Sequence, residues 1–93
     1  MLESVIQKKI VEKANDLGFF TRKVETVFQK GFPDRMFISP KGKLFFIEFK
    51  STKGKLRNLQ IITIEELIKY GQTVHVVNDL KQGLKILKEA LME

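Results

Sequence analysis

The chain has no cysteine, and it has no long apolar stretch. The absence of cysteine among its 93 residues excludes disulfides, thiol nucleophiles and thiolate zinc sites. No apolar run approaches the ~20 residues that a membrane-spanning helix needs. The first four residues, Met1 to Ser4, lack the basic start and apolar block of a signal peptide. We therefore expect an intracellular, cytoplasmic protein, encoded by a cell or by a virus, that makes no use of a membrane.

The composition is that of a globular protein with excess positive charge. Hydrophobic residues make up 43% of the chain and charged residues 30%. A length of 93 residues suits one compact domain with a modest core, so we predict a single domain over residues 1–93. Lys and Arg number 17 against 11 Asp and Glu, which gives a net charge of +6. This excess favours a polyanionic partner without requiring one.

The hydrophobic pattern predicts a mixed α/β fold with the element order αβββαβα. The segments are a helix over 2–17 capped by Gly18, strands over 19–29, 36–38 and 44–50, a helix over 58–70, a strand over 73–77, and a last helix capped by 78–79. The first three strands form an antiparallel meander, and the fourth returns across a helix parallel to the third. We therefore predict a four-stranded mixed sheet flanked by helices.

The same pattern predicts which positions of each element face inward. The third strand is the most apolar and is predicted to be central. The second helix is predicted to pack through Leu59 or Ile62 together with Ile64, Leu67 and Ile68. The last helix is predicted to pack through a leucine stripe at Leu80, Leu84, Leu87 and Leu91. His75, the only histidine, alternates with valines and is assigned to packing or to the surface, outside the site.

Two carboxylates and a lysine form the strongest candidate site. Glu48 and Lys50 are two residues apart in the third strand and so share one face. Asp34 follows Pro33, and a hairpin between the strands brings it beside Glu48. Mg²⁺ is often held by one or two protein carboxylates, with waters and phosphates completing its shell. The ordinary alternative is a turn-forming Asp34 and a solvated Glu48–Lys50 ion pair, and the residues alone leave both open.

Two further polar residues start the helices near this site. Glu3 lies in the first turn of the first helix and borders its apolar stripe, so it can face inward, although a solvated first-turn acid is the commoner arrangement. Gln60 lies in the first turn of the second helix, close in sequence to the end of the third strand. Its amide either reaches the carboxylates or stays on the surface.

These motifs together resemble a known nuclease pattern. Pro33-Asp34, thirteen residues, and then Glu48-Phe49-Lys50 resemble the PD-(D/E)XK nuclease signature. More narrowly, nearly the whole chain resembles the short stand-alone form of the VRR-NUC family. The segments that carry this resemblance are Glu3-Ser4, Gly31-Phe32-Pro33-Asp34, Ile47-Glu48-Phe49-Lys50-Ser51, Lys53-Gly54-Lys55-Leu56 and Gln60.

The resemblance implies hydrolysis of phosphodiester bonds that depends on Mg²⁺, with Mn²⁺ as a substitute. It implies Asp34, Glu48 and the backbone carbonyl of Phe49 as metal ligands, with Lys50 near the attacking water. Glu3 would add a carboxylate to the metal site, and Gln60 a polar contact to Lys50, water or phosphate. The resemblance favours structure-selective DNA cleavage, with four-way (Holliday) junctions as the leading substrate and flaps or nicked duplexes next.

Symmetric junction cleavage would require two active sites, and hence a homodimer. The apolar run 61–64 in the second helix and the eight phenylalanines indicate apolar surface beyond one core. Phosphate contacts are predicted on the two loops that flank the third strand, at Lys41, Lys43, Lys53, Lys55 and Arg57. The alternative function is a catalytically silent DNA-binding module of the same fold.

Overall fold

A computed structural model describes residues 1–26 and 30–93 and has the predicted element order αβββαβα. The helices are α1 (Glu3–Asp16), α2 (Asn58–Lys69) and α3 (Leu80–Leu91), and the strands are β1 (Phe20–Lys23), β2 (Arg35–Ile38), β3 (Leu44–Phe49) and β4 (Val74–Val77). The sheet order is β1-β2-β3-β4, with two antiparallel pairings followed by a parallel one between β3 and β4. The α/β class, the meander and the parallel return are confirmed. None of the described helices is long and apolar enough to cross a membrane.

The two faces of the sheet have different roles. One face bears the fully buried Phe37, Ile47 and Phe49, which join Ile6 and Ile10 of α1 in the hydrophobic core. Side chains alternate between faces along a strand, so Glu48 lies on the opposite face from its neighbours in β3. The second helix lies on the Glu48 side, because a side chain of its first turn donates to the Glu48 carboxylate. Core and candidate site thus occupy opposite faces.

The first predicted strand is much shorter in the structure. β1 ends at Lys23, residues 24–26 are not in a strand, and residues 27–29, with Phe28, lie outside the described residues. The Val24 amide still donates to the Asp34 carbonyl at 2.9 Å. The Asp34 amide, which would return this hydrogen bond in an antiparallel ladder, donates instead to Glu48 Oε1 at 3.2 Å. The pairing of β1 with β2 ends at Lys23 and Arg35, the first residue of β2.

The predicted inner face of α2 is correct at Ile64 and Leu67 and wrong at its other positions. Ile64 is buried and Leu67 half-buried, but Leu59 is 49%, Ile62 62% and Ile68 54% exposed. The less exposed positions include Gln60, Ile64 and Leu67, a helical stripe with one polar member. Counting apolar residues missed this stripe because its first position is a glutamine that contacts the carboxylates.

The predicted stripe of α3 is correct at three of its positions and wrong at Leu84. Leu87 is fully buried and Leu80 and Leu91 pack against the core, whereas Leu84 is 38% exposed. Gly83 is buried instead, because its missing side chain leaves room for Ile10 of α1. The predicted cap is present, since Asp79 Oδ1 accepts a hydrogen bond from the Gln82 amide at 2.7 Å.

His75 lies half-buried on β4, with its ring edge-on to Phe45 at 5.8 Å between centroids. Burial lowers the pKa of His75 below its ordinary 6.5; Glu89 and Glu93 oppose this effect, and Lys43 adds to it. A histidine whose folded pKa is lowered binds its proton more readily in the unfolded chain. The stability of the folded protein that depends on a neutral His75 is fully present above the pKa that the imidazole has in the unfolded chain. This stability is lost as the pH falls below that value.

We expect the free energy of unfolding to decrease when the pH is lowered from about 7.5 to about 5.5, and to decrease less in His75→Gln, which cannot titrate there. Urea denaturation of both proteins at the two pH values measures this difference. Other titrating groups are common to both proteins and cancel in the comparison. An equal decrease in both proteins would show that His75 does not titrate differently on folding.

Candidate active site

The Asp34 and Glu48 carboxylates each accept a hydrogen bond from the backbone of the opposite segment, at one end of the sheet. The Asp34 amide donates to Glu48 Oε1 at 3.2 Å, and the Phe49 amide donates to Asp34 Oδ2 at 2.9 Å. Glu48 is 2% exposed and Asp34 is half-buried. The arrangement follows from the register, since Arg35 pairs with Ile47 and the next pair outward is Asp34 with Glu48. Two carboxylates therefore converge where β2 begins.

Lys50 and Gln60 complete a connected group around Glu48. Lys50 Nζ lies 3.2 Å from Glu48 Oε2, and Gln60 Nε2 donates to the same oxygen at 2.7 Å. Gln60 Oε1 accepts from the backbone amide of Arg57 at 2.9 Å, so one side chain ties the start of α2 to β3. Lys50 is 9% exposed. A solvated ion pair, the alternative left open by the residues, does not describe two charges buried this deeply.

The environment of Glu48 disfavours its charge. Burial, and then the neighbouring charge of Asp34, raises the pKa of Glu48 above its ordinary 4.5; hydrogen bonding and charge from Lys50 and the Asp34 amide oppose this without cancelling it. Two carboxylates this close repel each other unless one is protonated or a cation lies between them. Lys50 therefore offsets only part of the cost of charging Glu48.

The donor set fits a hard divalent cation that shares its shell with water and substrate. Within residues 1–26 and 30–93, no group of three or more His, Cys, Asp or Glu side chains is placed to hold a metal ion. A closed structural site of the zinc type is therefore absent from that part of the chain. Mg²⁺ keeps several waters and commonly takes only one or two carboxylates, which Asp34 and Glu48 provide. The Phe49 carbonyl as a further ligand stays a prediction.

Glu3 lies at the edge of this arrangement. The chain before it is held near the end of β3, because the Thr52 amide donates to the Met1 carbonyl at 3.3 Å and the amino terminus donates to Thr52 Oγ1 at 2.9 Å. Glu3 itself is exposed and forms no hydrogen bond or ion pair with the other candidate residues among those described. The structure thus brings the start of α1 close to the site, and a contact of Glu3 with the metal stays a prediction.

The predicted basic residues fall into two separate groups. Lys53, Lys55 and Arg57 lie on the loop that joins the site end of β3 to α2, and all three are exposed. Lys41 and Lys43 precede β3 and lie at its other end. Six extended residues separate the two ends of the strand by about 20 Å. Lys43 also forms an ion pair with Glu93. Closeness in sequence was misleading because a whole strand separates the two loops.

The loop before Asp34 holds two features that the sequence did not reveal. Gly31 has φ +91°, and a Cβ there would lie 2.6 Å from the Leu59 carbonyl oxygen, so this loop touches the first turn of α2 through backbone. Beside that contact is a cleft of about 330 Å³, lined by Thr26, Lys30, Gly31, Arg57, Leu59 and Gln60. The only signal in the sequence was that Lys30 directly precedes the Gly31 motif.

Comparison with known proteins finds a similar solved structure. A solved structure described as a VRR_NUC domain is similar to this chain with a TM-score of 0.84 and 32% sequence identity, over 92% of this chain and 94% of that chain. No family model matches the sequence, and no curated protein matches it significantly. The similarity covers nearly all of both chains, so it includes the elements that carry Asp34, Glu48 and Lys50.

Proposed function

The chain belongs to the VRR-NUC family, and from that membership we propose that it is a divalent-metal-dependent, structure-selective endonuclease that hydrolyses DNA phosphodiester bonds. Membership indicates a nuclease-type fold. The observation that supports the activity is the convergence of Asp34, Glu48, Lys50 and Gln60 at one end of the sheet, where ionisation of Glu48 is disfavoured in the absence of a cation.

Each residue has a distinct task in this proposal. Asp34 and Glu48 supply the carboxylate oxygens that hold Mg²⁺ or Mn²⁺, with the Phe49 carbonyl and Glu3 as further candidate ligands. When bound, the ion polarises the phosphate and lowers the pKa of its water. Lys50 is held 3.2 Å from Glu48, where its ammonium group can orient the attacking water and offset charge on the phosphate. Gln60 fixes the orientation of Glu48 through its 2.7 Å hydrogen bond.

The direct test is cleavage of a labelled four-way junction beside a flap, a nicked duplex, a linear duplex and a single strand, with Mg²⁺, Mn²⁺ or EDTA. We expect metal-dependent products, most from the branched substrates. The alternative is a catalytically silent DNA-binding module of the same fold, although a binder has no need to keep two carboxylates beside a phosphate. That module would bind DNA with steep salt dependence and give no product with either metal.

We also propose that the enzyme acts as a homodimer, with four-way junctions as its leading substrate. Four apolar side chains of α2, Leu59, Ile61, Ile62 and Ile68, are exposed among the charged residues Glu65, Glu66 and Lys69. Exposed apolar side chains in this number favour a partner surface, and a two-fold axis at α2 would place two active sites on one junction.

Replacing Ile62, the most exposed isoleucine of α2, with Glu is expected to convert the dimer into a monomer. A charge introduced into a two-fold interface is present on both subunits, and each copy loses its hydration on association. Light scattering after size-exclusion chromatography measures the mass, and the same samples should nick junctions singly and lose paired cuts. Leu84→Glu, at an exposed leucine of α3, is the matched control and should leave the mass unchanged. A wild-type protein that is monomeric at all concentrations would contradict the proposal.

A further inference from the structure

A cleft with basic walls lies on one side of the candidate site. It has a volume of about 330 Å³ and lies between the loop at Lys30 and Gly31 and the first turn of α2. That size is at the low end of small-ligand clefts, roughly 300–1,000 Å³. Its walls meet at the close backbone approach of Gly31 to Leu59, which fixes the separation of the two sides.

The charges at this cleft are positive and unneutralised. Lys30 and Arg57 stand on opposite walls and are both exposed. Within the described part of the chain, neither forms an ion pair with Asp or Glu. The positive end of the α2 dipole points the same way. An anion between the walls therefore meets charge of one sign on both sides.

The cleft is separated from the carboxylates by a single side chain. Gln60 lines the cleft and also donates to Glu48 Oε2 at 2.7 Å. A polyanion whose phosphate lies at Asp34 and Glu48 must continue beyond the site, and the cleft offers it basic walls. Lys53 and Lys55 stand on the connecting loop that leads to the same helix start.

From this juxtaposition we infer that Lys30 and Arg57 clamp a phosphodiester group of the cut strand, next to the scissile one. The inference rests on the proposed nuclease function and extends it by assigning a binding role to Lys30. The contact is to the backbone, so it positions the strand without reading its sequence. Because Gln60 accepts from the Arg57 backbone amide, changing the Arg57 side chain leaves the Gln60 contact with Glu48 in place.

The first measurement is the salt dependence of binding of a labelled four-way junction in EDTA. Each lost phosphate contact lowers the slope of log K against log salt by about 0.9. We expect Lys30→Gln and Arg57→Gln each to lower the slope by about 1 and to weaken binding about three- to tenfold at moderate salt. The matched control is Lys81→Gln, an exposed lysine of α3 on the other side of the sheet, which should leave both quantities unchanged.

The second measurement locates the phosphate. Single neutral methylphosphonates are placed at each position around the cut, and binding is measured for wild type and Lys30→Gln. We expect one position next to the cut at which neutralisation weakens binding to wild type but adds nothing in Lys30→Gln, the result expected of two groups in contact. Equal penalties in both proteins at every position would overturn the clamp.

The outcomes separate this inference from the proposed function. Metal-dependent cleavage with an unchanged salt slope in Lys30→Gln would keep the nuclease and overturn the clamp. Reduced slopes with no product from any substrate would keep the clamp as a DNA contact and overturn the nuclease. A wild type that binds no DNA would overturn both.

Discussion

Replacing Asp34 with Asn is expected to lower metal-dependent cleavage about 10³-fold while leaving the metal-free protein at least as stable as wild type. The variant keeps the shape of the side chain, and its amide oxygen can still accept from the Phe49 amide, as Asp34 Oδ2 does at 2.9 Å. It loses one of two anionic ligands. A loss of about 4 kcal/mol of charge stabilisation in the transition state corresponds to a rate that is roughly 10³-fold lower.

The stability of this variant depends on the charge balance at Glu48. The neighbouring charge of Asp34 is the second cause, after burial, that raises the pKa of Glu48. A carboxyl group whose pKa is higher in the folded protein than in the unfolded chain lowers the free energy of unfolding at pH values above its folded pKa. There the folded protein must hold an unfavourable charge. Asp34→Asn removes part of that repulsion, so the free energy of unfolding in EDTA at neutral pH should equal or exceed that of wild type.

Urea denaturation in EDTA and in Mg²⁺ measures both effects. Mg²⁺ should stabilise wild type and not Asp34→Asn, because only the folded wild type offers two carboxylates. Asp16→Asn, at an exposed carboxylate at the end of α1, is the control for cleavage. Cleavage within about tenfold of wild type would remove Asp34 from the metal site. A variant that is unfolded without metal would make its lost activity a structural effect.

The sequence predicted the centre of the site because local rules determine it. A period of two places Glu48 and Lys50 on one face of β3, and the antiparallel turn between β2 and β3 fixes the register that brings Asp34 opposite Glu48. The element order followed from hydrophobic periodicity in the same way. The place of Gln60 near the carboxylates could also be predicted, because few residues separate β3 from α2.

The remaining features depend on contacts that no local pattern encodes. Leu59, Ile62 and Ile68 read as an inner face, yet α2 meets the sheet through a stripe that starts with Gln60. Lys43 is close to Glu48 in sequence but lies at the other end of the same strand. The cleft at Lys30 exists because two segments far apart in sequence touch, and its lining residues carry no pattern that would mark them.

Replacing Gly31 with Ala tests the contact between this loop and α2. It is the second replacement for which we expect a large effect. Gly31 has φ +91°, a conformation that costs an L-residue about 1–2 kcal/mol. An added Cβ would also lie 2.6 Å from the Leu59 carbonyl oxygen and 2.9 Å from its carbon. These atoms are backbone, so the first turn of α2 must move. We expect a total loss of about 2–4 kcal/mol in the free energy of unfolding.

The movement should also reach the active site through Gln60, the next residue after Leu59. A displacement of α2 lengthens the 2.7 Å hydrogen bond from Gln60 to Glu48, and small misplacements of catalytic groups can cost about 10²-fold in rate. We therefore expect cleavage by Gly31→Ala to fall by 10- to 100-fold, roughly, at temperatures where it is folded. Gln60→Ala should reduce cleavage in wild type and add little in Gly31→Ala.

Gly42 provides the matched control for the backbone strain. Its φ is +93°, but a Cβ there meets nothing within 4 Å. Gly42→Ala should therefore show only the cost of the backbone conformation, about 1–2 kcal/mol, with unchanged cleavage. The difference between the two alanine variants isolates the contact with Leu59. If the two lose equal stability and both keep full activity, then the approach of Gly31 to α2 does not position Gln60, and the glycine serves only the turn.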